Sequence, residues 1–361
     1  MSEPRLVFFG LNLGNTHIDA WFGGMYRSFF AALSRHGFEV KYSAVGTAPQ
    51  GDILVVPVGG GQDQIAARAM AAFGGPVALY VPSAQVWFRS GFLDRWRHQI
   101  LFAYGTDAAP ATTRRYGDLG LVYHTMPFAS DPGVMRPLDV GEVFDVVFVA
   151  NARSGAGRHA YVEALVAELG RDRVLLVGPG WEGLGYPSQS VAWGPLLNAI
   201  YNLGRVCVNV HNLEQWSTPS LRLDANNRLF DLAMAERPQV CVASATAAEF
   251  FTRDEMAVAD TPQEFVGEID RLLADSKVRR AMAVRARERA MRDHSWDARA
   301  RAFAGWLQSG RDERKTHDRA RGVSALWRLR DTMLPPYGPR EIAEKLARRA
   351  ARLEHSSGGG S

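Results

Sequence analysis

Phe144-Asp-Val-Val-Phe-Val-Ala150, running into Asn151-Ala-Arg-Ser-Gly-Ala-Gly157, decides how this chain is organised. The first seven residues read as a buried strand. The glycine-rich turn after them opens a helical pattern from about His159 to Leu169. That order has already been met once in the chain. Leu6-Val-Phe-Phe9 is a buried strand ending at Gly10, the stretch Leu11 to Gly24 reads as a loop, and Met25 to Arg35 carries apolar residues at helical spacing before Gly37. Phe38–Tyr42, Ile53–Val58, Pro76–Val81, Ile100–Tyr104 and Gly120–Tyr123 follow as strands. Pro132, Pro137 and Gly141 then punctuate a linker. After the restart, Val174–Val177, Val206–Val210 and Gln239–Ala243 are further apolar runs, and from Thr261 onward the text is helical. Continuous apolar strands alternating with helices mean βαβ units and parallel sheets covered on both faces. The chain therefore reads as two Rossmann-like halves joined near residue 140.

Length and charge agree with that division. The 361 residues exceed the roughly 250–300 at which a single core stops growing. With 47% hydrophobic and 22% charged residues, the composition excludes collagen-like, disulfide-scaffold and wholly disordered classes. Cys207 and Cys241 both lie inside apolar runs, which suits a reducing compartment. No apolar stretch reaches the ~18 residues of a membrane span, and Met1-Ser-Glu-Pro-Arg5 does not read as a signal peptide, so the expected location is cytoplasmic. The net charge of +4 belongs to one end. From Gly310 onward there are 12 Lys/Arg against 7 Asp/Glu, leaving 30 against 31 in the rest. A neutral body argues against nucleic acid as a partner. The expected domains are residues 1–138, 139–308 and a basic helical tail over 309–353, with 354–361 read as cloning scar and linker. Glu341–Leu353 is amphipathic; it either packs on the protein or makes weak peripheral contact with an anionic membrane.

In parallel sheets ligands sit at the carboxyl ends of strands, so the loops there are the candidates. Asn151, Arg153 and Arg158 lie on the turn after the restart strand, where a flexible loop, a guanidinium and a helix N-terminus suit a phosphate. A tight turn with solvated arginines is the plainer reading. Gly178-Pro-Gly-Trp181 allows close backbone approach to a ligand and offers an indole face for a base or sugar, or else is a turn with a packing tryptophan. Asn226-Asn227-Arg228-Leu-Phe-Asp231 opens a helix. Asp231 there could accept a pair of ribose hydroxyls and Arg228 could meet a phosphate, or Asp231 merely complements the helix dipole.

The succession of these signals resembles the C-terminal domain of GT-B glycosyltransferases, particularly the CgeB-like branch of the family-1/4 type. It runs from the strand into Asn151 and Arg153 through Val177-Gly-Pro-Gly-Trp181, Val191-Ala-Trp-Gly194 and Val208-Asn-Val-His211. It continues with Asn227-Arg-Leu-Phe-Asp231, Pro238-Gln-Val-Cys-Val242 and the closing Asp293-His-Ser-Trp296. Met126-Pro-Phe-Ala-Ser-Asp131-Pro132 up to Arg136-Pro137 is similar to the family's crossover between domains. The resemblance spans about residues 5–308. It implies an α/β GT-B fold, with two Rossmann-like parallel-sheet domains facing a central cleft. It also implies transfer of a sugar from a UDP, GDP or TDP donor to an acceptor hydroxyl, without an obligatory metal or cofactor. A sugar-nucleotide epimerase and a non-catalytic sugar-nucleotide binder are the alternatives.

Under the resemblance, Asp231 stands where such enzymes hold the donor ribose with an acid, usually Glu. Asn151, Arg153, Arg158, Gly178, Trp181, His211, Asn227, Arg228 and Glu249 complete the donor side. His17 and Asp19, on the loop that faces the cleft in this architecture, are the candidate base and its partner. Two departures stand out. The family's Gly-x-Pro is Glu236-Arg237-Pro238 here, and its paired upstream acid falls on Leu223, one position from Asp224.

Overall fold

The structure is a computed structural model that describes residues 3–9, 24–58, 63–81, 92–152, 157–187, 190, 192–211, 225–242 and 248–321. Six strands form the first sheet: β1 (Arg5–Phe9), β2 (Glu39–Ser43), β3 (Ile53–Pro57), β4 (Val77–Val81), β5 (Ile100–Gly105) and β6 (Tyr123–Thr125). Their order is β2-β1-β3-β4-β5-β6, and every pair is parallel. The second sheet has β7 (Phe144–Val149), β8 (Val174–Val177), β9 (Gly204–Val210), β10 (Gln239–Val242) and β11 (Ala257–Ala259), in the order β11-β10-β9-β7-β8, again all parallel.

Period-two alternation explains why these strands are apolar throughout. Leu6 and Phe8 face one layer of helices while Val7 and Phe9 face the other, so neither side of the strand meets water. The helices of the first half are α1 (Gly24–Arg35), α2 (Asp63–Phe73), α3 (Phe92–Trp96) and α4 (Pro110–Asp118). Those of the second are α5 (Arg158–Leu169), α6 (Gly194–Asn202), α7 (Asn227–Met234), α8 (Pro262–Ala274) and α9 (Ser276–Asp293). Thr261 caps α8, its hydroxyl accepting the Glu264 amide with Pro262 in the first turn, as the sequence indicates.

Helix α10 (Trp296–Arg321) returns from the second sheet to the first. Trp296, Ala300, Phe303 and Leu307 are buried against Phe29 of α1 and Phe102 and Tyr104 of β5, inside the core of the first half. The chain thus crosses between the sheets twice, and the two crossings lie side by side. The Ser130 amide donates to the His294 carbonyl at 3.0 Å and the Trp296 amide to the Ser130 carbonyl at 3.2 Å. Arg299 clamps the pair, donating to the carbonyls of Pro127, Phe128 and Asp293. Farther along the first crossing, the Asn198 and Asn202 side chains of α6 take the amides of Arg136 and Leu138. Among the described residues, no helix is long and apolar enough to cross a membrane. The amphipathic segment expected over Glu341–Leu353 lies outside the described residues.

Candidate functional site

The carboxyl ends of β7, β8 and β9 and the start of α7 come together at one edge of the second sheet. Beside the apolar packing of the strands, they are joined by a network of polar side chains. Asn226 caps α7, its Oδ1 accepting the Leu229 amide, and its Nδ2 donates to Asn209 Oδ1 on β9 at 2.9 Å. Arg228, in the first turn, donates from Nε to the Val149 carbonyl and from a terminal nitrogen to Asn209 Oδ1, both at 3.0 Å. Its guanidinium lies 5.0 Å above the Phe148 ring, and burial lowers its pKa. Arg158, opening α5, donates to the carbonyls of Asn151, Val210 and His211, so it ties the end of β7 to the end of β9. Both guanidinium groups, expected from the sequence to meet a phosphate, are thus also engaged by the protein's own oxygens.

Two other candidates are deeply buried. Trp181 is 1% exposed, packed on Phe148 and His159, and its indole N–H donates to the Ala150 carbonyl at 2.8 Å. It holds the β8 turn against β7. Gly178 is required there by the chain itself. A Cβ at that position would lie 2.3 Å from the Ala150 carbonyl oxygen, and its φ is +133°. His211, at the end of β9, is buried beside Asn226. Desolvation, then Arg228 and Arg158, push its pKa down to about 3, which leaves the imidazole neutral.

Asp231 is one turn further into α7 than a dipole partner would be. It is 9% exposed, and its Oδ1 accepts the Ser130 hydroxyl at 2.7 Å. Burial drives its pKa up to about 7, against the opposing effects of the Ser130 hydroxyl and Arg228. Asn227 begins α7, half-buried. Asn151 is half-buried, and its Oδ1 is a buried oxygen with no hydrogen-bond partner among the described residues. Glu249 is exposed, in the turn of helix that precedes Phe250. His17, Asp19 and Arg153 lie outside the described residues.

Helix α5 has Gly157 at its N-cap, with φ +64° and no side chain of its own to cap the first turn. Its first amides sit at the carboxyl end of β7, where an anion is favoured. Sequence reasoning missed Asn209 and Ser130. A single amide in the apolar run Val206-Cys-Val-Asn-Val210 was the available signal for the first. Ser130 carries none, because its partner is 101 residues away. Among the described residues, no three His, Cys, Asp or Glu side chains gather as a metal site would.

A family model described as "Glycosyl transferase-like" matches residues 156–305, which hold most of this edge. Solved structures of similar shape are GT-B proteins. Sucrose-phosphate synthase of Thermosynechococcus elongatus aligns with a TM-score of 0.61 and 13% identity, covering 84% of this chain and 98% of that one. HepE of Anabaena, in complex with UDP and glucose, gives 0.57 and 12%, covering 85% and 100%. The BGT of T4 phage, in complex with its UDP-glucose substrate, gives 0.55 and 11%, covering 84% and 99%. At these identities the likeness concerns the fold. No curated protein matches the sequence.

Proposed function

We infer that this chain, whose second domain is glycosyl transferase-like on a GT-B fold, moves a sugar from a nucleotide-sugar donor to an acceptor hydroxyl. The observation that carries the reading is Asp231. It is a buried carboxylate with one oxygen engaged, set at the ligand-facing edge of the matched domain. Its second oxygen, with no hydrogen bond among the described residues, would accept the ribose hydroxyls of the donor. The first amides of α5 would face the diphosphate, with Arg153 beside them in the chain. Arg158 and Arg228 serve this arrangement by fixing the strand ends and adding positive potential, not by direct contact. His17 and Asp19 would accept the acceptor's proton, and the diphosphate would leave without a metal.

Isothermal calorimetry with UDP, GDP and TDP tests the reading. One of the three should bind in the micromolar range, and Asp231→Ala should weaken it at least tenfold. UDP heads the series because it is the nucleotide bound in the HepE and BGT structures. Binding of none of the three would refute the reading.

A further inference from the structure

Ser130 is 1% exposed and uses every polar atom it has: its amide and carbonyl zip the two crossings together, and its hydroxyl reaches Asp231. A carboxylate at the edge of the second sheet is therefore held by one of the two paired crossings between the sheets. We propose that Ser130 is a positioning residue for donor binding. Its hydroxyl, fixed by the paired crossings, holds Oδ1 of Asp231 so that Oδ2 faces the ribose of a nucleoside diphosphate. The proposal rests on the reading of Asp231 as the donor's ribose ligand.

The surroundings of Asp231 make the role measurable. Facing it are Arg228 on its own helix, Tyr201 of α6, which burial keeps protonated, and Ser130 from the crossing. Arg299 and His294 stand behind the neighbouring Phe230 ring, and burial together with Arg299 pushes His294 down to about 4. Neither His211 nor His294 changes charge between pH 7 and 9. A hydroxyl that donates to a carboxylate favours its ionised form, so losing that hydroxyl raises the pH at which Asp231 ionises. Loss of a merely structural bond would not depend on pH in this range.

The experiment is calorimetric titration of UDP into wild type, Ser130→Ala, Asp231→Asn and the double variant at pH 7 and pH 9. Circular dichroism confirms the fold of each. Ser130→Ala should lose about fivefold in affinity at pH 7 and less than twofold at pH 9, as expected if the carboxyl titration rises by about one unit. In the Asp231→Asn background the same substitution should have no further effect. Equal affinities of wild type and Ser130→Ala, or an equal loss at both pH values, overturns the proposal alone. If wild type binds UDP and Asp231→Asn binds it equally well, the reading of Asp231 falls, and the proposal with it.

Discussion

At the end of β5 in the first sheet, the carboxylate of Asp107 accepts the Ala109 amide at 3.0 Å and the Thr112 hydroxyl at 2.5 Å. In the second half, Asp231 of α7 takes one hydroxyl, from a residue 101 positions away. Both side chains are buried, at 1% and 9% exposure. Asp107 takes these two donors from within five residues and so shapes the turn into α4, as Asp commonly does. Asp231 has no such local donors, and its ionisation is left near neutrality. Two aspartates of equal depth thus differ in use. A carboxylate satisfied by its own loop is structural, whereas one satisfied across the chain stays responsive.

The severest test of that contrast is Arg228→Ala. It would strip a donor from the Val149 carbonyl and from Asn209 inside the network, and should cost about 3 kcal/mol in urea denaturation. A loss below about 1 kcal/mol would mean that the edge of the second sheet is held by packing after all.

Replacing each aspartate by asparagine should move stability in opposite directions. Asp107→Asn loses a charged acceptor and should destabilise by about 2 kcal/mol. For Asp231 the folded pKa of about 7 stands above the ordinary 3.8, so the unfolded chain releases its proton first. The stability tied to its protonated form is complete below pH 3.8 and is lost as the pH rises through 7. Asp231→Asn should therefore stabilise the protein at pH 8 by about 2 kcal/mol, and by clearly less at pH 5, in paired thermal melts.

Smaller effects sharpen the picture. Thr112→Val removes the hydroxyl bond to Asp107 and should lower stability by about 1 kcal/mol, leaving UDP affinity at the wild-type value. Glu236 follows α7 with φ +56°, at the position where the resemblance places glycine. Glu236→Gly relieves that left-handed conformation at the expense of a 3.7 Å pair with Arg287, for a net gain of about 0.5 kcal/mol in the same melts.

The strands were legible because burial on both faces writes an uninterrupted apolar run, and Val174–Val177 is found at the expected bounds. The run from Gly120 to Tyr123 was misplaced. Gly120 takes φ +68° and the Leu121 amide turns back to Tyr116, so the strand starts only at Tyr123. Strand β11 went unseen, since three residues containing two alanines carry no periodicity. At the site, the succession of loops was readable but the destination of each side chain was not. Nothing local distinguishes an arginine that bonds three carbonyls from one that waits for phosphate, as Arg158 illustrates. Nor does the text say whether Trp181 lies over a ligand or under a strand. Those answers depend on how β7, β8 and β9 are placed, which is a tertiary fact.

The return of α10 to the first sheet also sets the order in which the molecule can be completed. Residues 3–125 leave the ribosome first, yet the layer that covers Phe29 and Phe102 is supplied by Trp296, Phe303 and Leu307. Until that segment is synthesised, one face of the leading half stays open. The second sheet, whose strands and covering helices α5–α9 all come from residues 144–293, can close earlier. The half made first is the half finished last.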